Sequence, residues 1–520
     1  MPTRDSVIPG STEAETQRNS PISMPPEEFR KLGYRVVDSL AELIATFPDR
    51  PVAPGATPSA IREQLGQGSL PPDGRDAAAI LDAATGLLFR NSTFNGHPKF
   101  FGYITAPAAP IGILGEFLAA GINANVGAWS LSPAATEIER QTVAWIADLI
   151  GFPASCGGIF VSGGNMANMV CMLVARAAHL SNLPAGVRHA EARPHFRIYA
   201  STETHTWIEK ALDIMGLDPE SLRKIPVDSG RRMRIEDLES FVATDLAAGL
   251  VPLAVIGTAG TVSTGSVDPL VAIGAFCRRE RIWFHVDGAY GAPAAALAVA
   301  SDDLKALSEA DSVAVDPHKW LYAPLEAGCS LIRDGALLRQ AFAHHPPYYH
   351  FADAEGEPVF NYHEHGPQNS RGFRALKVWL ALQQVGRSGY VRMIEDDCRL
   401  ARLMFDTVAA NEYLDAVSCE LSIATFAFVP PELRGDAGSA DYLNELNTEL
   451  LSELQQNGEV YVSNAVIDGR FVLRACIVNF RTSDRDIRES VEIIVRTGIA
   501  VDARMRNVWS KSRNTDGSPG

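Results

Sequence analysis

A lysine and an aspartate stand out among the side chains of this protein that can do covalent chemistry. Lys319 lies in the run Val315-Asp316-Pro317-His318-Lys319-Trp320-Leu321, and Asp287 closes the apolar run Phe284-His285-Val286-Asp287. An unprotonated lysine forms an imine with an aldehyde, and desolvation or nearby positive charge lowers an amine's pKa enough to permit it. The Trp320, Leu321 and Tyr322 that follow Lys319 offer such an apolar setting. A carboxylate at the end of a strand can bond a pyridine nitrogen and keep it protonated, and a protonated ring is an electron sink for a carbanion. The pair is the minimal equipment for pyridoxal 5'-phosphate (PLP) chemistry. Taken singly, Lys319 also reads as a surface lysine after a strand, and Asp287 as a helix N-cap before Gly288-Ala289-Tyr290-Gly291.

Other residues complete that chemistry. Ser162-Gly163-Gly164-Asn165 opens a helix expected from Met166. Glycine admits close approach, and the free N–H groups of a helix start hold phosphate, although the turn lacks the lysine of a nucleotide P-loop. Ala289 and Gly291 would let a flat ring approach the backbone. His205, at the start of a helix, could stack on such a ring and donate to a carboxylate, or be a buried histidine with its bonds met. Five of the twelve histidines fall at 344, 345, 350, 363 and 365, around Pro346-Pro347-Tyr348-Tyr349. Their spacing fits no tight metal-ligand pattern, so a mobile loop with a proton-donating Tyr or His is the expectation, with no metal.

The elements that must position these residues alternate between about 135 and 335. Helices are expected at Glu137–Ile150, Met166–Ala178, Thr206–Met215 and Leu270–Arg279. Strands are expected at Gly158–Val161, Phe196–Ala200, Leu253–Gly257, Ile282–Val286, Ser312–Val315 and Cys329–Arg333. This is the pattern of an α/β fold with a mostly parallel sheet covered on both faces, which binds ligands beyond the carboxyl ends of its strands. Ser162, Thr258, Asp287 and Asp316 fall there. Phe29, Leu32, Val36, Leu40, Leu43 and Phe47 recur at helical spacing, and a second helix is expected near Asp76–Phe89. After about 390, strands at Leu421–Val429, Glu459–Ser463 and Phe471–Phe480, with helices at Ala440–Gln456 and Asp484–Thr497, predict an α+β lobe with an antiparallel sheet. Ser483 is placed to cap the last helix. The expected organisation is a disordered tail at 1–24, a helical arm at 25–95 needing a partner subunit to pack on, a large α/β domain at 96–390, a small α+β domain at 391–509, and a disordered tail at 510–520.

The 520 residues are 46% apolar, enough for a large core, and carry a net charge of −16. An acidic surface repels phosphate backbones, so nucleic acid is not an expected partner. The seven cysteines are scattered and odd in number, which favours reduced thiols in a cytoplasm. No apolar run reaches the roughly 18 residues of a membrane span, and no apolar signal core is expected at the N-terminus.

On Pro317-His318-Lys319-Trp320 and the residues around it, the chain resembles the group II PLP-dependent decarboxylases, the family of aromatic-L-amino-acid and glutamate decarboxylases, over about residues 25–500. The resemblance implies PLP as cofactor and a fold-type-I, aspartate-aminotransferase-like homodimer with its active site at the subunit interface. It makes Lys319 the Schiff-base lysine, Asp287 the pyridinium partner, His205 the stacking histidine and Ala289 a ring neighbour. It puts Gly163, Gly164, Asn165 and His318 on the phosphate side. Thr258 and Asp316 are also expected at the cofactor. Tyr348 matches the loop tyrosine that protonates Cα, with Tyr349 a close rival. Tyr103, Trp129, Tyr349 and Arg371 are expected towards the substrate. Phe29-Arg30-Lys31-Leu32-Gly33 and His97-Pro98-Lys99-Phe100-Phe101-Gly102-Tyr103 are similar to the aromatic branch, so the expected activity is removal of the α-carboxylate of an L-amino acid, aromatic in side chain.

Three alternatives remain open on the residues. An oxygen-consuming aldehyde synthase would use the same cofactor, and a decarboxylase could take an acidic or other non-aromatic substrate. A non-catalytic binding protein could share the fold. A nicotinamide dehydrogenase would need a strand leading into Gly-x-Gly-x-x-Gly, which the chain lacks.

Overall fold

The computed structural model describes residues 20–66, 68–182, 195–344 and 358–515, with side chains as far as residue 506. By internal contacts the chain forms two units: one runs to Thr46 and resumes over Pro58–Arg90, and the other joins Phe47–Thr57 to everything from Asn91 onward. The first unit holds α1 (Pro26–Ala45), α2 (Pro58–Leu65) and α3 (Ala77–Asn91). Pro26 at the first helical position and Glu27 and Glu28 in the first turn suit the start of α1. Of the expected apolar stripe, Leu32 and Leu43 are buried and Phe29 is exposed. Phe47 lies past the helix end, in the second unit, so the expected arm at 25–95 is interrupted. There Val52 N donates to Gly458 O at 2.8 Å and Phe94 N to Val52 O at 2.9 Å.

In the second unit, α4 (Pro110–Ile122) and α5 (Pro133–Leu149) precede β1 (Gly157–Val161) and α6 (Gly164–Ser181). Next come β2 (Phe196–Ser201), α7 (Trp207–Met215), β3 (Leu222–Ile225), α8 (Ile235–Ala247), β4 (Val251–Thr258) and α9 (Leu270–Glu280). They are followed by β5 (Trp283–Asp287), α10 (Asp302–Lys305), β6 (Ser312–Val315), β7 (Gly328–Ile332), α11 (Ala336–Phe342) and α12 (Ala375–Ala409). The sheet order is β1-β7-β6-β5-β4-β2-β3. β3, β2, β4, β5 and β6 run parallel, while β7 is antiparallel to both β6 and β1. The sheet is thus mixed, and the carboxyl ends of β1, β4, β5 and β6 meet at one edge. Phe160, Val255 and Phe284 face one core, and Ile159, Val161, Ala254 and Ile256 face the other. Burial on both faces is why these strands read as continuous apolar runs.

The last part of the chain packs α13 (Ala440–Asn457) and α14 (Asp484–Thr515) with an antiparallel sheet ordered β10-β11-β9-β8. Its strands are β8 (Leu414–Glu420), β9 (Ile423–Phe428), β10 (Ser463–Ile467) and β11 (Arg470–Cys476). The single strand expected at Leu421–Val429 is one arm of a hairpin turning at Leu421, whose φ is 50°. The strand expected at Glu459–Ser463 leaves this sheet because Tyr461 bridges Phe100 instead: Phe101 N donates to Tyr461 O at 2.7 Å and Tyr461 N to Lys99 O at 3.1 Å. Ser483 N donates to Asp486 Oδ2 at 2.9 Å while Asp486 N reaches Ser483 Oγ at 3.4 Å, a reciprocal cap for α14. The domain boundary expected at 390 falls inside α12, which breaks instead at Gly386 (φ 65°, ψ 167°). α14 continues through the start of the tail expected from 510. All seven cysteines are free thiols, and no helix among the described residues is long and apolar enough to cross a membrane.

Candidate active site

A cavity of about 340 Å³ opens beyond the edge where β1, β4, β5 and β6 end. Ten residues singled out in the sequence line it: Gly163, Gly164, Asn165, His205, Thr258, Asp287, Ala289, Asp316, His318 and Lys319. Each sits at a strand end, at a helix start or in the turn that directly follows a strand, so the topology brings them together. The turn from β1 into α6 needs its glycines. Gly163 has φ 141°, and a Cβ on Gly164 would stand 2.6 Å from Asp316 Oδ2.

Asp287 is held at both oxygens. Trp207 Nε1 donates to Oδ2 at 2.7 Å and Ala289 N to Oδ1 at 3.2 Å. The register of β4 and β5 sets Thr258 beside Asp287, and Asp268 fixes Thr258 from behind by accepting from its N–H at 2.8 Å. Lys319 Nζ lies 3.0 Å from Asp316 Oδ2, and His318 Nε2 lies 3.7 Å from the same oxygen. Two buried oxygens of residues that line this cavity, Thr258 Oγ1 and Asp316 Oδ1, have no partner among the described residues.

Burial lowers the pKa of His205, with Asp287 pulling it up and Lys319 down. Trp207 N donates to His205 Nδ1 at 3.1 Å, so the proton of the neutral ring is on Nε2, free to donate. Beneath Asp287, His285 is fully buried and pushed down to about 4 by desolvation. Its Nδ1 meets Ser312 Oγ at 2.8 Å and its Nε2 meets Asn168 Oδ1 at 2.7 Å. Asn168 Nδ2 in turn donates to Gly164 O at 2.9 Å, tying this network to the glycine turn.

The residues that follow Lys319 are anchored to α12. Trp320 Nε1 and Tyr322 Oη donate to Asp397 Oδ2 at 2.8 and 2.5 Å, and Tyr390 Oη donates to Leu321 O at 3.2 Å. Burial pushes the Asp397 carboxyl up to about 7. Trp320 stacks on Tyr290 with centroids 4.9 Å apart, and the Tyr290 hydroxyl meets Ser422 Oγ at 2.6 Å.

Four expected residues lie elsewhere or outside the described chain. Arg371 does not face the cavity: it is wholly buried, bonded to Glu139 Oε1 at 2.5 Å and Oε2 at 3.2 Å, to Val126 O at 3.0 Å and to Phe160 O at 2.8 Å, and lies over the Tyr362 ring. Its expected substrate contact is therefore corrected to a structural tie between α5, β1 and the segment before α12. Trp129 is also away from the cavity, its Nε1 donating to Glu137 Oε1 at 3.1 Å. Tyr348 and Tyr349 lie outside the described residues. Tyr103 is exposed beside Tyr461, one residue from the lining Ile104. A larger groove of about 650 Å³, lined by Glu137, Arg140, Phe360 and His365 among others, contains none of the residues expected to bind cofactor. Among the described residues no His, Cys, Asp and Glu cluster is placed to hold a metal.

Sequence reasoning missed Trp207, Tyr290, Asp397 and Arg474. Trp207 had a signal, two residues beyond His205 at a helix start. Arg474 on β11 is buried and donates from Nη1 to Tyr103 O and Ser463 Oγ, while Nε and Nη2 meet no partner among the described residues. Only burial marks it as having donors left for an anion.

The cavity fits PLP. It has the volume of a small-cofactor site, a glycine turn at a helix N-terminus for the phosphate, unpartnered buried oxygens, a lysine, and a carboxylate fixed at a strand end. The comparisons agree. A family model described as the pyridoxal-dependent decarboxylase conserved domain matches residues 58–429. The chain is 32% identical over 467 residues to an aromatic-L-amino-acid decarboxylase of Bacillus atrophaeus, covering 90% of this chain and 94% of that one. Its structure resembles that of Oryza sativa TDC with PLP and tryptamine (TM-score 0.86, 26% identity, 93% and 99% of the two chains). It also resembles Rhodiola rosea 4-hydroxyphenylacetaldehyde synthase (TM-score 0.81, 27% identity, 92% and 99%).

Proposed function

The chain belongs to the pyridoxal-dependent decarboxylase family, a PLP-dependent carboxy-lyase of fold type I, and on that premise we propose that it converts an aromatic L-amino acid to its amine and carbon dioxide. The observation that carries this reading is the single cavity at which Lys319, Asp287, His205 and the Gly163-Gly164 turn converge. The likeness to an aromatic-L-amino-acid decarboxylase over nearly the whole chain supports the aromatic substrate.

When bound, PLP supplies an electron sink for the pair released as the Cα–carboxylate bond breaks. The chain's own residues do the rest. Lys319 holds the cofactor through its amine. Asp287, steadied by Trp207 and Ala289, keeps a proton on the ring nitrogen. His205 covers the ring and donates from Nε2 towards the substrate carboxylate. The N–H groups of the glycine turn hold the phosphate. Tyr348 is the proposed donor of the proton that Cα regains, with Tyr349 the alternative.

The reading includes a homodimer. Leu114, Phe117, Leu118 and Ile122 form an exposed apolar face on α4, and Phe29 and Tyr34 are exposed on α1, surfaces that suit cover by a second copy. It extends to a reducing compartment such as the cytoplasm, in keeping with seven free thiols.

The aldehyde-synthase likeness supports a second reading, in which the same site yields an aldehyde and hydrogen peroxide from substrate and oxygen. The deciding experiment incubates PLP-loaded protein with a panel of L-amino acids and identifies products by mass spectrometry, with peroxide assayed in parallel. Arylalkylamines without peroxide are expected. Aldehyde with peroxide would replace the first reading by the second, and turnover of acidic amino acids alone would overturn the aromatic assignment.

A further inference from the structure

His285 takes no part in the chemistry set out above, yet it is fully buried on β5 two residues before Asp287, with both ring nitrogens bonded. The donors and acceptors around it are fixed by their chemistry. Gly164 O only accepts, so the Asn168 atom that meets it at 2.9 Å is the amide Nδ2, and the atom left facing His285 Nε2 at 2.7 Å is the carbonyl Oδ1. Oδ1 also only accepts, so the imidazole hydrogen sits on Nε2. Desolvation keeps the ring neutral, which makes Nδ1 the acceptor of the Ser312 hydroxyl hydrogen at 2.8 Å. Trp283 Nε1 donates to that hydroxyl oxygen at 2.8 Å. The bonds thus run one way, from Trp283 through Ser312, His285 and Asn168 to the carbonyl of Gly164, and aligned bonds of this kind polarise one another.

That carbonyl belongs to a turn that cannot hold itself. Gly163 has φ 141°, a Cβ on Gly164 would stand 2.6 Å from Asp316 Oδ2, and glycines cost more than other residues to order. We propose that His285 is a positioning residue for the cofactor phosphate: through Asn168 it holds the Gly163-Gly164 turn in the shape that aims its N–H groups at that phosphate. The Trp207 ring lies at right angles to the same imidazole, centroids 6.1 Å apart, and Trp207 Nε1 is the donor that aims Asp287. His285 therefore touches the holders of both ends of the cofactor, by a hydrogen bond at the phosphate end and by packing alone at the ring end. Only the phosphate end depends on where its hydrogen sits.

The inference rests on the assignment of the cavity to PLP, and the experiment separates the two. Dissociation constants of PLP and of pyridoxal, which lacks the phosphate, are measured by absorbance titration for wild type, Asn168→Leu, His285→Asn and His285→Gln. A glutamine amide reaches the place of Nε2 and still donates to Asn168, whereas an asparagine amide reaches only the place of Nδ1. The preference for PLP over pyridoxal should fall about tenfold in Asn168→Leu and in His285→Asn, the worth of one hydrogen bond in a buried site, and no further in the double variant, because both break the same link. His285→Gln should keep the preference. The phosphorus resonance of bound PLP should stay at its wild-type position in His285→Gln and move in the other two. A preference that survives in Asn168→Leu and His285→Asn would overturn the inference, as would a glutamine as harmful as the asparagine. Equal losses for PLP and pyridoxal would also overturn it, since general loosening of the core produces that result. Wild type that binds pyridoxal as tightly as PLP would instead overturn the phosphate assignment beneath it.

Discussion

Trp207 Nε1 donates to Asp287 Oδ2 at 2.7 Å, so the carboxylate assigned to the cofactor ring is aimed by an indole two residues past the histidine assigned to cover it. One turn at the start of α7 therefore sets both groups. Asp287→Asn keeps the shape and removes the charge. Turnover at saturating PLP should fall about 100- to 1,000-fold, the usual cost of losing one preorganised electrostatic group. Trp207→Phe, which leaves the charge but frees its orientation, should cost about tenfold, close to one hydrogen bond. Steady-state kinetics of the two variants checks both, and equal losses would contradict the orienting role.

Lys319→Ala should lose turnover and the absorbance band of lysine-bound PLP together. A spectrum and rate unchanged from wild type would remove Lys319 from the chemistry.

Arg371 gives a prediction of the opposite kind. Its ion pair with Glu139 is wholly buried, and removing one partner strands a buried charge. Arg371→Ala should lower the unfolding free energy by about 3–5 kcal/mol in denaturant titrations. The KM of whatever folds should change little, and a large rise in KM at unchanged stability would restore the substrate role expected from sequence.

His285 sets a pH dependence. Unfolded, it takes a proton near the ordinary histidine value of 6.5; folded, burial holds it neutral down to about 4. Its pKa is lowered on folding, so its contribution to stability is complete above 6.5 and is lost as pH falls towards 4. The span corresponds to roughly 3 kcal/mol. Unfolding free energies measured across that window should show this loss in wild type and not in His285→Gln.

Much of this site was legible because its residues fall at ends. Lys319, Asp287 and the glycine turn follow short apolar runs, and an α/β sheet collects such ends at one edge whatever the strand order. The sequence pattern does not show direction: it led to a mostly parallel sheet, and nothing in the run Cys329–Arg333 marked β7 as the strand that runs against both neighbours. α12 was missed because Gly386 and the nearby Arg and Ser residues interrupt its apolar period. Arg371 misled for a related reason: an arginine near a site has the same letter whether it faces a ligand or a buried glutamate, and only Glu139, far away in sequence, decides. Asp397 was invisible in the same way, since its role comes from Trp320 and Tyr322 reaching it across the fold.

The contacts behind Lys319 bear on how the protein comes apart. Trp320 and Tyr322 grip α12 through Asp397, while Tyr290, stacked on Trp320, reaches Ser422 at the hairpin of the second sheet. The segment that carries Lys319 is thereby braced against both sheets. The two sheets are therefore expected to loosen together on heating, at a midpoint that climbs with cofactor concentration, so that a melting curve would double as a gauge of cofactor occupancy.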